Sequence, residues 1–287
     1  MIVGIHHIGI NVRDLDQAIT FLTTAGIPVA HHDHQSAWLQ APNGFVRIQS
    51  APHAVHTATP IYAAGISHIC IQTPHIHAAL DPLLAHGYHA NSAPVDLNTG
   101  HRYVYIHDSD ANVLELEGVP YAPVDQIPWL AHVALATSDI QRLGDFYQHL
   151  LNGESAGGQP IGPHPRYDEV LALSDVRVIP RWIKGVNLTV ELWQFLHPVT
   201  IPLPPRTPHH LGYHSLCLEV TDLTTSVAHA LECGAQLITD GNSDAWLHDP
   251  DGNLLWLVES AHLPMPAIQT LAEPHIIARI NALWRRG

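Results

Sequence analysis

Residues 101–117 place a carboxylate, phenols and an imidazole at strand spacing. His101, Tyr103 and Tyr105 alternate with Arg102, Val104 and Ile106, and after a turn Val113, Glu115 and Glu117 alternate with Leu114 and Leu116. The turn, Asp108 to Asn112, carries side chains that hydrogen-bond their own backbone, so the two runs read as a hairpin. Tyr105 and Glu115 are thereby candidates for one face, where a carboxylate accepts and a phenol donates a proton. The stretch Trp246 to Glu259 repeats the pattern, with Trp246, Asp249, Gly252 and Trp256 at the places of Tyr105, Asp108, Ala111 and Glu115. The copy has lost its carboxylate.

Three imidazoles recur at one place in a longer repeat. Ile5 to Leu15, Ile66 to Ile76, Leu130 to Ile140 and Tyr213 to Leu223 are four versions of an alternating strand running into a helix start. Ile8, Ile10 and Val12, Ile69 and Ile71, Val133 and Leu135, and Leu216, Leu218 and Val220 make the apolar stripe that packs on the following helix. The other face carries His7, His68, His132 and, in the fourth copy, Ser215; His214 is one residue off and is expected to turn to the helix side. Asp14, Asp139 and Asp222 suit helix N-caps, and the helices end near Gly26, Gly87 and Gly234. Cys70 and Cys217, two residues past the His68 and Ser215 positions, suit small buried packing.

The modules span about 1–50, 64–118, 129–196 and 210–260, joined by Pro- and Ala-rich connectors at 51–64, 118–128 and 197–211. Pro266 to Arg286 reads as one or two amphipathic helical pieces broken at Pro274, a docking or dimer element. With 287 residues and 46% hydrophobic content the chain can bury a sizeable core, and its length suits about two domains. Against 12 Lys plus Arg stand 26 Asp plus Glu, which repels phosphate backbones and argues for a small-molecule partner rather than nucleic acid. No apolar run is long enough for a membrane span and the start lacks the marks of a signal peptide, so a cytoplasmic location is expected, as monomer or homodimer. Three cysteines, Cys70, Cys217 and Cys233, form no close-spaced pair, so reduced thiols are expected. Most of the 25 histidines, His31, His32, His34 and His56 among them, sit in loop-like surroundings and carry no metal-site spacing.

Four βαβββ modules, each opening on a strand that can carry His and closing on one that can carry Glu, resemble the vicinal oxygen chelate superfamily. It includes glyoxalase I, methylmalonyl-CoA epimerase, the extradiol dioxygenases and the bleomycin resistance proteins. The resemblance covers the chain to about residue 260. It implies an α+β fold in which modules pair into two cupped, incomplete β-barrels with helices on the outside. It also implies a divalent metal (Zn, Ni, Co, Mn or Fe(II)) held by first-strand and last-strand residues. The first-strand positions are His7, His68 and His132; the last-strand positions are Gln49 or Arg47, Glu115, Glu191 and Trp256. Glu259 should face away, and the fourth module should hold no metal.

Two pairings fit. Neighbour pairing gives an N-terminal domain, 1–120, with His7, Gln49, His68 and Glu115 as ligands, a partly degenerate C-terminal domain, 128–262, and a tail, 263–287. Pairing of the second module with the third gives His68, Glu115, His132 and Glu191. Similar connector lengths and the adjacency of consecutive elements favour the first. Imidazole and carboxylate ligands suit a borderline ion and leave positions open for a substrate that chelates through two neighbouring oxygens. The leading reading is a lyase or isomerase working through an enediolate, with Glu115 as base. The alternative is an extradiol-type iron(II) ring-cleaving dioxygenase, in which Tyr105 and His101 act beside the metal, though Ser109 and Ala111 stand where that hairpin pattern has Pro and Gly. A third reading is a metal-free drug-binding protein, in which His7, His68 and Glu115 do not converge.

Overall fold

The computed structural model describes residues 1–54, 59–123 and 127–284. Parts of the first two connectors, His56 and the end of the tail lie outside these. The first module is β1 (Ile2–Val12), α1 (Leu15–Thr24), β2 (Val29–His32), β3 (Ser36–Ala41) and β4 (Gly44–Ser50). The second is β5 (Gly65–Thr73), α2 (Ile76–Ala85), the short β6 (His89–Ala90) and β7 (Val95–Asp96), then β8 (Arg102–His107) and β9 (Val113–Gly118). The third is β10 (Trp129–Ala136), α3 (Ile140–Leu150), β11 (Glu154–Gly157), an added helix α4 (Pro165–Leu171), β12 (Arg177–Lys184) and β13 (Thr189–His197). The fourth is β14 (Gly212–Val220), α5 (Leu223–Cys233), β15 (Gln236–Asp240), β16 (Asp244–His248) and β17 (Leu254–Glu259), and the tail ends in α6 (Ile276–Trp284).

Local chemistry sets these elements. Asp14, Asp139 and Asp222 accept hydrogen bonds from the backbone N–H of Gln17, Arg142 and Thr225, each satisfying a donor the helix itself leaves orphaned. Gly234 ends α5 at φ 110°, a left-handed conformation that costs glycine nothing. The two hairpin turns are alike: Asp108 accepts from Asn112 N and Asp249 from Asn253 N, and Ala111 (φ 64°) does in the first what Gly252 (φ 83°) does in the second.

The modules pair differently from the neighbour arrangement. One sheet runs β15-β16-β17-β14-β1-β4-β3-β2 and joins the first module to the fourth; the other runs β11-β12-β13-β10-β5-β9-β8-β6 and joins the second to the third. The joining edges are antiparallel, β1 on β14 and β5 on β10. Neither 1–120 nor 128–262 therefore closes on itself; the chain is nested, with an inner sheet from modules two and three and an outer sheet from modules one and four.

Helices α1, α2, α3 and α5 pack on the apolar stripe of each sheet, and one continuous core joins both stripes, from Ile8, Ile10 and Phe21 through Ile69 and Leu83 to Val133, Phe146 and Leu216. Two buried asparagines tie the sheets together. Asn187 in the β12–β13 turn donates to Ile5 O (2.8 Å) and Asn43 O (2.7 Å) and accepts from Ile5 N, while Asn43 in the β3–β4 turn donates to Leu130 O and Asn187 O and accepts from Leu130 N. The tail docks on its own chain: Ile276 and Ile280 of α6 bury against Val119, Ala122 and Trp129. No helix among the described residues is long and apolar enough to cross a membrane.

Candidate metal centre

On the inner sheet, alternation turns His68 and Cys70 of β5, Glu115 and Glu117 of β9, His132 of β10 and Glu191 of β13 away from the helices. The sheet twist brings His68, Glu115, His132 and Glu191 together, all four buried, with one ligand atom from each within 4.8 Å of the others. His68 Nε2 lies 3.0 Å from Glu115 Oε2, 3.7 Å from Glu191 Oε2 and 3.4 Å from His132 Nε2. His132 Nε2 lies 3.4 Å from Glu115 Oε2 and 3.2 Å from Glu191 Oε2. Ligands about 2.1 Å from a central ion stand roughly 3–3.5 Å apart, so these four atoms have the spacing of a coordination shell.

The supporting hydrogen bonds present lone pairs inward. Ser67, the extra residue where the β5–β10 register shifts, donates its hydroxyl to Ala134 O and therefore accepts from His68 Nδ1–H at 3.1 Å. With its proton on Nδ1, His68 would present the Nε2 lone pair to a cation; in the absence of the cation Nε2 hydrogen-bonds Glu115 Oε2 at 3.0 Å. Trp182 Nε1 donates to Glu191 Oε1 at 2.7 Å, while Glu191 Oε2 is buried with no hydrogen bond of acceptable geometry. A buried carboxylate oxygen without a donor is costly, and a cation among these groups removes the cost.

The electrostatics agree. Burial opposes charge on His132, but Glu191 and Glu115 outweigh it and push the imidazole up to about 9. Burial likewise opposes ionisation of Glu115, yet His132 and His68 hold its carboxyl below the ordinary range. Glu191 goes the other way, raised chiefly by burial. Without a cation, the cluster draws in a proton.

Several expected residues stand elsewhere. His7 and Gln49 lie on the outer sheet, His7 beside Cys217 and Gln49 exposed, so the set His7, Gln49, His68 and Glu115 is not assembled. Arg47, not Gln49, occupies the strand position equivalent to Glu115. His101 is outside the four-donor cluster, its Nδ1 against Glu117 Oε1 and its Nε2 2.8 Å from Tyr121 Oη. Tyr105 is inside the site, its hydroxyl 3.4 Å from His68 Nε2. It also belongs to an apolar cluster with Val113, Ala136, Phe195 and Leu171 of α4, against which Trp193 packs. Trp182 adds a residue that strand alternation alone does not mark. It lies directly across from Glu191 as Tyr105 does from Glu115.

Residues 4–116 match the model of the Glyoxalase/Bleomycin resistance protein/Dioxygenase superfamily, and residues 132–258 match that of a glyoxalase-like domain. A search of curated proteins found no match. Among solved structures, a mutant of glyoxalase I from Zea mays is similar over 90% of this chain and 92% of its own, with a TM-score of 0.66 and 18% identity. The glyoxalase I from Zea mays matches at 0.64 and 17% identity, with the same coverage. A putative dioxygenase from Bacillus subtilis matches over 98% of this chain and 96% of its own, at 0.63 and 12% identity. At these identities the likeness speaks for the fold. Two family-model matches on consecutive halves, the four repeated modules and the paired cupped sheets lead to one conclusion: the chain belongs to the glyoxalase, bleomycin resistance and dioxygenase superfamily, also called vicinal oxygen chelate.

Proposed function

We propose that the protein is a metal-dependent lyase or isomerase acting on a small substrate that chelates the ion through two neighbouring oxygens. The observation that carries this is the convergence of four buried donors, His68, Glu115, His132 and Glu191. Two imidazoles and two carboxylates fit a divalent ion such as zinc, nickel, cobalt, manganese or iron(II). When bound, such an ion supplies Lewis acidity to the substrate oxygens.

The chain's own residues divide the remaining work. Glu191, with Oε2 unpartnered and its proton affinity raised by burial, is suited to take a proton from the carbon next to the substrate carbonyl and return it to the neighbouring carbon. Trp182 fixes the rotamer of that carboxylate through Oε1. Glu115, held ionised by the imidazoles, is the poorer base, so the base role passes from Glu115 to Glu191. The Tyr105 hydroxyl stands beside His68 to donate to a substrate oxygen, and its apolar neighbours exclude water from the developing enediolate.

Glu191 Oε2 is also the oxygen that faces the other three donors, so Glu191 would help hold the ion in the resting site and would serve as base once the substrate takes its place. A buried carboxylate of raised proton affinity, with a phenol beside the cluster, supports proton-transfer chemistry over ring cleavage. The test is anaerobic incubation of metal-loaded protein with hydroxy-keto, hemithioacetal and acyl-CoA substrates, beside an oxygen-electrode assay with catechols. Metal-dependent turnover that needs no oxygen supports the proposal. Iron(II)-dependent oxygen uptake with a catechol, lost in Tyr105→Phe, overturns it.

A further inference from the structure

The outer sheet repeats the geometry of the inner one with its charges inverted. Register places Arg47 on β4 where β9 carries Glu115, and Trp256 on β17 where β13 carries Glu191. His7 keeps the place of His68, while Ser215 stands for His132. Trp38 lies across from Arg47, and Trp246 across from Trp256, as Tyr105 and Trp182 lie across from the two glutamates. The cup that holds two carboxylates in the inner sheet thus holds a guanidinium among indoles in the outer one.

Arg47 is not ion-paired among the described residues. Its guanidinium carbon sits 5.6 Å from the Trp38 ring centre and 5.8 Å from that of Trp256, which in turn stacks on Trp246 at 5.2 Å and 6°. Among the described residues no carboxylate forms an ion pair with it, and its buried Nε has no hydrogen-bond partner. The carboxylates nearby are otherwise engaged. Glu219 accepts from Ser260 Oγ and Ile268 N, Asp244 from Trp256 Nε1, and Asp33 from the backbone of its own turn.

The neighbouring imidazoles add no cation. His6 Nε2 donates to Pro266 O, so His6 Nδ1 is bare and accepts from His7 Nδ1 at 3.0 Å. Burial and then His6 and Arg47 hold His7 neutral; burial and Arg47 push His214 down to about 3. The hydrogen bond to His7 occupies the Nδ1 that His6 would offer a metal, and the Arg47 charge repels one. His214 also departs from its expected place. A register shift opposite Gly9 and Ile10 makes it the extra residue of β14 and brings its ring beside Gly9, where a Cβ would meet His214 Cε1 at 2.9 Å. Its Nδ1 is buried and unpartnered.

We propose that the outer cup is a second binding site, for a small planar aromatic carboxylate. The guanidinium fork matches a carboxylate in plane and charge, and the half-buried Trp246–Trp256 stack beside it offers an aromatic wall against which the ring can pack. The site stands independently of the metal reading, since it shares no residue with the inner cluster.

Benzoate is the probe, followed by quenching of tryptophan fluorescence and by calorimetry on the whole chain. Benzoate should bind saturably in the millimolar range or tighter, cyclohexanecarboxylate more weakly, and benzylammonium not at all. Arg47→Met should weaken benzoate at least tenfold, and Arg47→Lys should restore part of the loss. Circular dichroism and an unchanged urea midpoint would show that both variants fold. The double variant Glu115→Gln with Glu191→Gln should keep full benzoate affinity. Absence of saturable binding, equal binding in Arg47→Met, equal affinity for cyclohexanecarboxylate, or loss of binding in the double variant overturns the proposal.

Discussion

Trp182 grips one oxygen of Glu191 at 2.7 Å and leaves the other, Oε2, buried 3.2 Å from His132 Nε2 without a hydrogen bond. The indole therefore sets where the free oxygen points. Trp182→Phe keeps the ring and removes the donor, and we expect metal affinity to fall by roughly 10–100-fold with the fold intact. Competition against a chelator of known affinity measures it, and an unchanged affinity would deny Trp182 this role.

Ligand substitutions separate the two sheets. His68→Ala, His132→Ala and Glu191→Gln should each remove stoichiometric metal, whereas His7→Ala, on the other sheet, should retain it. Elemental analysis of the purified variants decides this. Metal lost from His7→Ala and kept in His132→Ala would contradict the inner-sheet site.

Metal uptake should expel a proton. His132 is raised to about 9 in the metal-free protein, so it carries a proton at pH 7 that ligation must displace. Calorimetric titration in buffers of different ionisation enthalpy should show about one proton released per ion at pH 7, falling towards none above pH 9. The same shift bears on stability. A folded pKa above the unfolded 6.5 stabilises the metal-free protein fully below about pH 6.5, and that contribution is lost as pH rises through about 9. The upward shift of Glu191 acts in the same direction. Urea midpoints of metal-free protein should therefore decline between pH 6.5 and 9, and a flat or rising profile would count against the cluster as described.

The asparagine pair should matter to both sheets at once. Asn187→Ala strips partners from Ile5 N, Ile5 O and Asn43 O, all in the interior. At about 1–3 kcal/mol per unsatisfied buried group, the loss should be on the order of 3 kcal/mol or more. Denaturant unfolding followed by tryptophan fluorescence checks this, and a change below about 1 kcal/mol would mean that water replaces the lost bonds.

The modules were legible because period-two alternation and helix caps are local: Ile8, Ile10 and Val12 or Asp14 announce themselves within a dozen residues. Pairing was not, because it depends on which strand edges meet, and β1 and β14 lie some two hundred residues apart in sequence. His68 and Glu115 belonged to both possible pairings, which is why they survived the choice, while His7 and Gln49 depended on the one that does not form. The shorter connector, 118–128, joins the modules that do pair, a signal that connector similarity obscured. His214 was misplaced because a bulge leaves no mark in alternation. Trp182 was within reach: an aromatic precedes every last-strand position by nine or ten residues, as Trp38, Tyr105, Trp182 and Trp246 precede Arg47, Glu115, Glu191 and Trp256.

The nested order of the sheets has a bearing on how the chain is made. The inner sheet has all its strands once β13 has left the ribosome, so the candidate metal cluster can assemble while β1 still lacks its partner. The exposed edge of β1 must then wait for β14, with the whole inner half of the chain synthesised in between. During that interval the open feature of the first module is the backbone edge of β1, since its apolar stripe is already covered by α1, and the outer cup with Arg47 comes into being only with the last module.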